Sequence, residues 1–286
     1  MATNITLTGD ITHQLQDAVN QSAGTPISLG PGRASLSAAI LVPSHCKIVG
    51  AGPSASILVP QNGVNAFTVR VPGEDYSTIF EDFQVHYPQP QPWGTSAAFS
   101  VGASTQEHTG FRLRRCKILN AQIGVGTINA SLFVIDDLTC LDVANTCVLV
   151  QNTNGADSGD STIVNSCFSN YGNPVQNGLG VQQLSSGGLR ICNTKFNQFN
   201  QAYQLALAAG AETSDLLING CSMEAIGFQG MEGAAVFCYH QGAGKFRNIV
   251  ISGCQIAGYK RTIDIADQAS GWLTKVSAGG NNVLTP

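Results

Sequence analysis

Asp215-Leu-Leu-Ile-Asn-Gly-Cys221 and Asn248-Ile-Val-Ile-Ser-Gly-Cys254 are two copies of one pattern: a short alternating strand, a polar turn and a cysteine. The last four positions recur as Phe80-Glu-Asp-Phe83, Leu113-Arg-Arg-Cys116, Ile135-Asp-Asp-Leu138, Val164-Asn-Ser-Cys167 and Cys192-Asn-Thr-Lys195. The fourth residues, 83, 116, 138, 167, 195, 221 and 254, are separated by 33, 22, 29, 28, 26 and 33 positions. A constant strand unit joined by loops of variable length produces that spacing.

Each copy is followed by a second short strand and then a third. Examples of the third are Gly178-Leu-Gly-Val-Gln182, Tyr203-Gln-Leu-Ala-Leu207, Ala235-Val-Phe-Cys-Tyr239 and Thr262-Ile-Asp-Ile265. Three strands per turn, each stacked in parallel about 4.8 Å from its counterpart, bury an inward column that no single coil could bury alone. An antiparallel sandwich would need a hairpin turn roughly every 8 to 12 residues, which the spacing does not supply. The expected fold is all-β, a single-stranded right-handed parallel β-helix.

At the start of the chain, Asp10-Ile-Thr-His-Gln-Leu-Gln-Asp-Ala-Val-Asn20 reads as a short amphipathic helix with Ile11, Leu15, Ala18 and Val19 on one face. Asp10 or Thr12 is positioned to cap it. Such a helix would cover the open end of the stack. Residues 1–25 are therefore expected to form a strand and capping helix, and residues 26–286 one continuous β-helix.

Composition narrows the partners. Charged residues make up 11% of the chain and the formal net charge is −4, with no basic stripe to displace counterions from a phosphate backbone, so nucleic acid is not expected. No stretch has the roughly 20 consecutive apolar residues that span a bilayer. Met1 to Asp10 lacks the basic region and apolar core of a signal peptide, so synthesis in the cytoplasm is expected. The nine cysteines include no CxxC pair and lie mostly in apolar runs, which reads as buried free thiols with no metal site. Gly50-Ala-Gly52 is followed by a strand, Ser56-Ile-Leu-Val59, and not by the helix a dinucleotide fingerprint needs. No cofactor is expected.

The strand, Asn-Gly or Asn-Ser turn, strand pattern over roughly residues 75 to 270 resembles the parallel β-helix repeat of the pectate-lyase-like superfamily, including phage tailspike domains. The resemblance implies an asparagine ladder in the sharp turn, onto which Asn165, Asn193 and Asn219 map; Glu81, Arg114, Asp136 and Ser252 occupy the same column without matching it. It also implies that sugar lies along one wall of the helix, here the strands carrying Gln182, Gln204, Tyr239 and Asp264. Amides and a carboxylate pair with sugar hydroxyls, and a tyrosine ring faces the apolar side of a pyranose. Trp93 sits in the proline-rich stretch His86-Tyr-Pro-Gln-Pro-Gln-Pro-Trp93, which must protrude. It would pack on its own wall or on a neighbouring subunit, or stack on sugar.

Three functions compete. The first is a virion-associated spike or fibre, a homotrimer by resemblance, that recognises cell-surface polysaccharide and contacts other virion proteins. The second is a depolymerase. A lyase would use Arg114 or Arg115; a glycosidase would pair Asp136 or Asp137 with Asp264 or Glu224. The doubled column Glu81-Asp82, Arg114-Arg115, Asp136-Asp137 is better read as a surface salt-bridge ladder, which explains the same residues with no chemistry. The third is a purely structural fibre component. No motif of a familiar hydrolase appears, which favours recognition over cleavage.

Overall fold

The computed structural model describes residues 3–70, 73–74, 78–103, 108–152, 159–171, 178–184, 187–207, 212–213, 215–225, 233–240, 245–246, 248–266 and 276–284. Every pairing between strands is parallel and joins one coil to the next. The chain is a right-handed parallel β-helix whose coils present three walls.

The first wall runs through Ile79–Glu81, Arg112–Arg114, Val134–Asp136, Ser161–Val164, Leu189–Cys192, Leu217–Asn219 and Ile249–Ser252. The second runs through Gln84–His86, Lys117–Leu119, Thr139–Leu141, Cys167–Ser169, Lys195–Asn197, Ser222–Glu224 and Gln255–Ala257. The longer strand Ile27–Leu36 spans both walls, pairing with Lys47–Gly50 and with Ser56–Pro60. The third wall is a nine-stranded sheet from Ile40–Val42 to Arg261–Ala266.

A column with one residue from each first-wall strand runs through the core. Phe80, Leu113, Ile135, Ile163, Ile191, Ile218 and Ile251 stand in register, and each is fully buried. Near the N-terminal end the tube is filled by aromatic rings, with Phe67 stacked on Phe99 at 5.3 Å and tilted against Phe80 at 5.0 Å. Helix Thr12–Gln21 buries Leu15, Ala18 and Val19, with Ile11 just before it, against the end of this tube. Asp10 accepts bonds from the backbone N–H (2.9 Å) and hydroxyl (2.6 Å) of Thr12, which holds its carboxyl down to about 2.

The corner between the first and second walls corrects the expected register. Asp82, Arg115, Asp137, Asn165, Asn193, Gly220 and Gly253 are the corner residues, all left-handed with φ between 46° and 63°. Asn and Gly suit that conformation because a short polar side chain or none relieves the clash a Cβ makes there. The repeat aligns Val164 and Cys192 with Phe80, Leu113 and Ile218; they are outward, and Ile163 and Ile191 hold the inward places. The pattern is shifted by one residue in those two coils.

The asparagine ladder is corrected with it. Asn165 and Asn193 are in the corner column, joined by Asn193 Nδ2 to Asn165 Oδ1 at 2.8 Å. Asn219 belongs one residue earlier, in the strand column of Glu81, Arg114 and Asp136, and donates to the Ser252 hydroxyl at 2.8 Å. Gly220 takes the corner instead. The next column inward is Phe83, Cys116, Leu138, Ser166, Thr194, Cys221 and Cys254, all buried. There Ser166, Thr194, Cys221 and Cys254 each donate to the carbonyl two residues earlier. All nine cysteines are free thiols, but Cys167 and Cys192 are only half-buried because the shifted register turns them outward.

Candidate functional site

Two regions gather polar side chains with chemistry to offer: the outer face of the third wall and the charged corner between the first two walls.

On the third wall, parallel pairing places Gln182 beside Gln204, Gln204 beside Phe237, and Phe237 beside Asp264. These four residues form one outward row across successive coils, about 14 Å long at about 4.8 Å per coil. Gln182 Nε2 donates to Gln204 Oε1 at 2.6 Å, and Gln204 Nε2 donates to Gln201 Oε1 at 2.8 Å. The amides therefore form a polarised chain that leaves the Gln182 oxygen at its end as an acceptor. Asp264 is in an ion pair with Arg261 on the same strand.

Tyr239 is not in this row. It stands two residues further along its strand, opposite Ala206 and Ala266, on the same face. Its ring lies 5.1 Å from that of Phe237, tilted by 32°, and the two make a half-exposed aromatic platform beside the glutamines. Phe237 is the residue that sequence reasoning missed. Strand alternation alone could have found it, since Phe237 and Tyr239 share parity.

Trp93 is 59% exposed, so it does not pack on its own wall as one reading expected. The reason is the way its loop is anchored. The buried Tyr87 donates its hydroxyl to the Val64 carbonyl at 2.7 Å, and the buried Gln91 accepts from Gly63 and donates to Asn62. The loop is held while the indole is left outside. Trp93 sits three coils before Gln182, roughly 14 Å along the axis, so it does not join that row. Tyr171, 66% exposed, occupies the same corner three coils beyond Trp93.

At the charged corner, Glu81, Arg114 and Asp136 fall in register on successive coils, as the doubled column predicted. The pairing is selective. Arg115 clamps Asp82 with two bonds, Nε to Oδ1 at 2.8 Å and Nη2 to Oδ2 at 2.9 Å, and also bonds Glu81, to which Lys47 adds a contact at 3.6 Å. The guanidinium holds the Asp82 carboxyl below its ordinary value, and the two carboxylates hold Arg115 firmly charged. Arg114 makes no side-chain hydrogen bond or ion pair with any described residue, and its Nε is buried. Asp136 accepts from Asn165 at 3.0 Å. An open cleft of about 320 Å³ lies at this corner, with Asp82, Arg115, Lys117, Asp137 and Thr139 on its rim.

The carboxylate pairs nominated for a glycosidase do not assemble. Asp136 and Asp137 are on the first wall and its corner, Asp264 is on the third wall four coils away, and Glu224 is on the second wall facing Lys195 at 3.9 Å. Four coils amount to about 19 Å, against the roughly 5 to 9.5 Å that paired catalytic carboxyls require. Among the described residues, no helix is long and apolar enough to cross a membrane.

No protein-family model matches the sequence, and no curated protein is detectably similar to it. Solved structures are similar in fold. A tailspike protein of E. coli bacteriophage HK620 superposes with a TM-score of 0.66 at 15% identity, over 97% of this chain and 54% of that one. The PL6 family alginate lyase AlyGC gives 0.66 at 13% identity, over 99% of this chain and 39% of that one. The DFA-IIIase of Arthrobacter chlorophenolicus A6 gives 0.60 at 12% identity, over 99% and 93%. The chain thus spans about half of the tailspike chain and less of the lyase. At these identities the likeness establishes the parallel β-helix architecture.

Proposed function

We propose that this chain recognises polysaccharide along the outer face of its third wall, as a spike or fibre protein of a virion acting as a homotrimer. The observation that carries the reading is the row Gln182, Gln204, Phe237 and Asp264 with Tyr239 beside it. Amides supply paired donors and acceptors for hydroxyls, the aromatic platform supplies a surface for the C–H face of a pyranose, and a rigid ladder holds both. Support also comes from one structural neighbour, a tailspike of the same fold solved in complex with a pentasaccharide. Recognition is favoured over hydrolysis because the nominated carboxylates are dispersed over separate walls. A lyase reading keeps one observation, the Arg114 side chain, whose buried Nε has no partner among the described residues.

The test is a panel of bacterial and plant polysaccharides presented to wild type and to Phe237→Ala and Gln204→Ala. Binding is read by pull-down, and cleavage by new reducing ends and by absorbance of unsaturated products. The expected result is capture of one or a few glycans without cleavage, weakened about five- to thirtyfold in Phe237→Ala, since aromatic contacts of this kind contribute on the order of 1–2 kcal/mol. Unsaturated product, lost in Arg114→Gln, would establish a lyase instead. Capture that survives both wall variants would remove the third wall from the account. Sedimentation velocity tests the trimer.

A further inference from the structure

The charged corner holds a feature that the third-wall reading does not use. Around the cleft, Lys47, Arg115 and Lys117 face Glu81, Asp82 and Asp137, so the charges balance. They are not evenly engaged. Arg115, Glu81, Asp82 and Lys47 are committed to one another. The Asp137 carboxylate and the Lys117 ammonium carry no hydrogen bond or ion pair to any described residue, although both line the same concavity. Arg115 does not reach across to neutralise Asp137, because its fork is already held by Asp82 and Glu81.

The geometry of the rim is fixed by the fold. Asp137 projects from a left-handed corner with φ of 55°, on the coil that follows Arg115. Its backbone N–H is tied to the Val164 carbonyl at 3.1 Å. Lys117 and Thr139 are partners on adjacent second-wall strands, so the ammonium and the hydroxyl stand side by side. Pro53 and Ser54 close the opposite side from an earlier coil, in a turn held by Gly52 N–H to the Asp82 carbonyl at 2.8 Å. An apolar ring thus faces a carboxylate and an ammonium that hydrogen-bond to no described residue, and two hydroxyls.

We propose that this corner is a second saccharide site, separate from the third wall, for a single uncharged hexopyranose unit bearing adjacent hydroxyls. Its volume is at the small end for a ligand pocket, which suits one sugar ring. A carboxylate accepts two hydroxyl protons at once, and an ammonium donates to hydroxyl oxygens, whereas Pro53 offers a face to ring C–H groups. Because the charges around the opening balance, an acidic sugar gains no net attraction there, and it would set its own carboxylate against Asp137, which no described residue engages. A metal ion is disfavoured because Asp82 is already taken by Arg115, and no group of three or more potential ligands forms among the described residues.

The experiment is saturation-transfer NMR and titration of the full chain with methyl hexopyranosides and methyl hexuronides. It compares wild type with Asp137→Asn, Lys117→Met and Phe237→Ala. Asparagine fits the left-handed corner, so the first variant keeps the fold while removing the charge. The expected result is weak binding of a neutral glycoside, reduced on the order of tenfold in Asp137→Asn and in Lys117→Met and unchanged in Phe237→Ala. Uronide should bind at least as poorly as the neutral sugar does to Asp137→Asn. The proposal is overturned by equal affinity for the uronide, by unaltered binding in Asp137→Asn, or by no neutral glycoside binding at all. Loss of glycan capture only in Phe237→Ala would leave the third-wall reading standing and remove this one.

Discussion

The one-residue register shift makes a quantitative prediction at Ile163 and Val164. Both are aliphatic and adjacent, and the repeat aligns Val164 with Phe80 and Leu113, whereas the fold puts Ile163 in their inward column. Ile163 is fully buried between Ile135 and Ile191, and Val164 is outward and half-buried. Ile163→Ala deletes three carbons from a column clamped above and below by backbone ladders. The transfer contribution is about 2.4 kcal/mol at about 0.8 kcal/mol per carbon. The cavity adds to it, because neighbouring coils cannot collapse toward one another, giving about 3–4 kcal/mol. For a chain of 286 residues that lowers Tm by roughly 5–7 °C. Val164→Ala removes two carbons already in contact with water and should cost under about 1 kcal/mol. Urea and thermal unfolding of the two variants, followed by circular dichroism, give the comparison. If Val164→Ala proves as costly as Ile163→Ala, the inward column has been misassigned and the corner built on Asn165 falls with it.

Three further outcomes follow from the same geometry. Gly253→Ala places a Cβ at φ of 63° without a close steric contact, so it should cost about 1–2 kcal/mol from the backbone alone, whereas Gly253→Asn should be close to neutral in the same unfolding assay. Cys254→Ser should lose less than about 1 kcal/mol, because Ser166 and Thr194 already make the same bond to the carbonyl two residues back; a large loss would mean that the thiol has a role beyond packing. The pH dependence has a definite sign at two groups. Arg115 holds Asp82 below 3.8, so the unfolded chain takes up the proton first; the clamp's contribution is whole above about pH 4 and is lost as pH falls toward the folded value. Burial, with the charges of Arg33 and Lys117, holds His86 below 6.5, so its share of stability also declines as pH falls from 6.5. NMR titration of both groups checks the directions, and Arg115→Gln should return Asp82 toward 3.8.

Much of the architecture was legible because a coil stack repeats its constraints. An inward apolar residue and a left-handed turn are needed in every coil, so Asp215–Cys221 and Asn248–Cys254 expose the period even where intervening loops differ in length. The capping helix was legible for a similar reason, since Ile11, Leu15, Ala18 and Val19 mark one apolar stripe. The register was ambiguous where two consecutive residues are both apolar, as in Ile163-Val164 and Ile191-Cys192. Alternation cannot choose between faces there, and a slip of one residue exchanges them. The ladder position of Asn219 failed with that choice.

The candidate sites were less legible. Gln182, Gln204 and Asp264 could be placed outward from strand parity, yet which residue stands between them depends on where each third-wall strand begins. Pairing across coils put Phe237 there and moved Tyr239 along the strand. The alternating charges at 81–82, 114–115 and 136–137 announced an electrostatic column, but the choice of partners was a matter of side-chain reach. Arg115 took Glu81 and Asp82, and Arg114 was left without either.

What the sequence determined by itself is the coil: its period, its short strands and its cap, because these rest on local periodicity and backbone sterics, whereas pairing across coils settled the register of the inward column and of the corner. What only the tertiary structure decided is which outward side chains meet. The cleft joins Pro53 to Thr139 across several coils, and the third-wall row joins Gln182 to Asp264. Such neighbours are set by stacking across loops of unequal length, and no spacing along the chain encodes them.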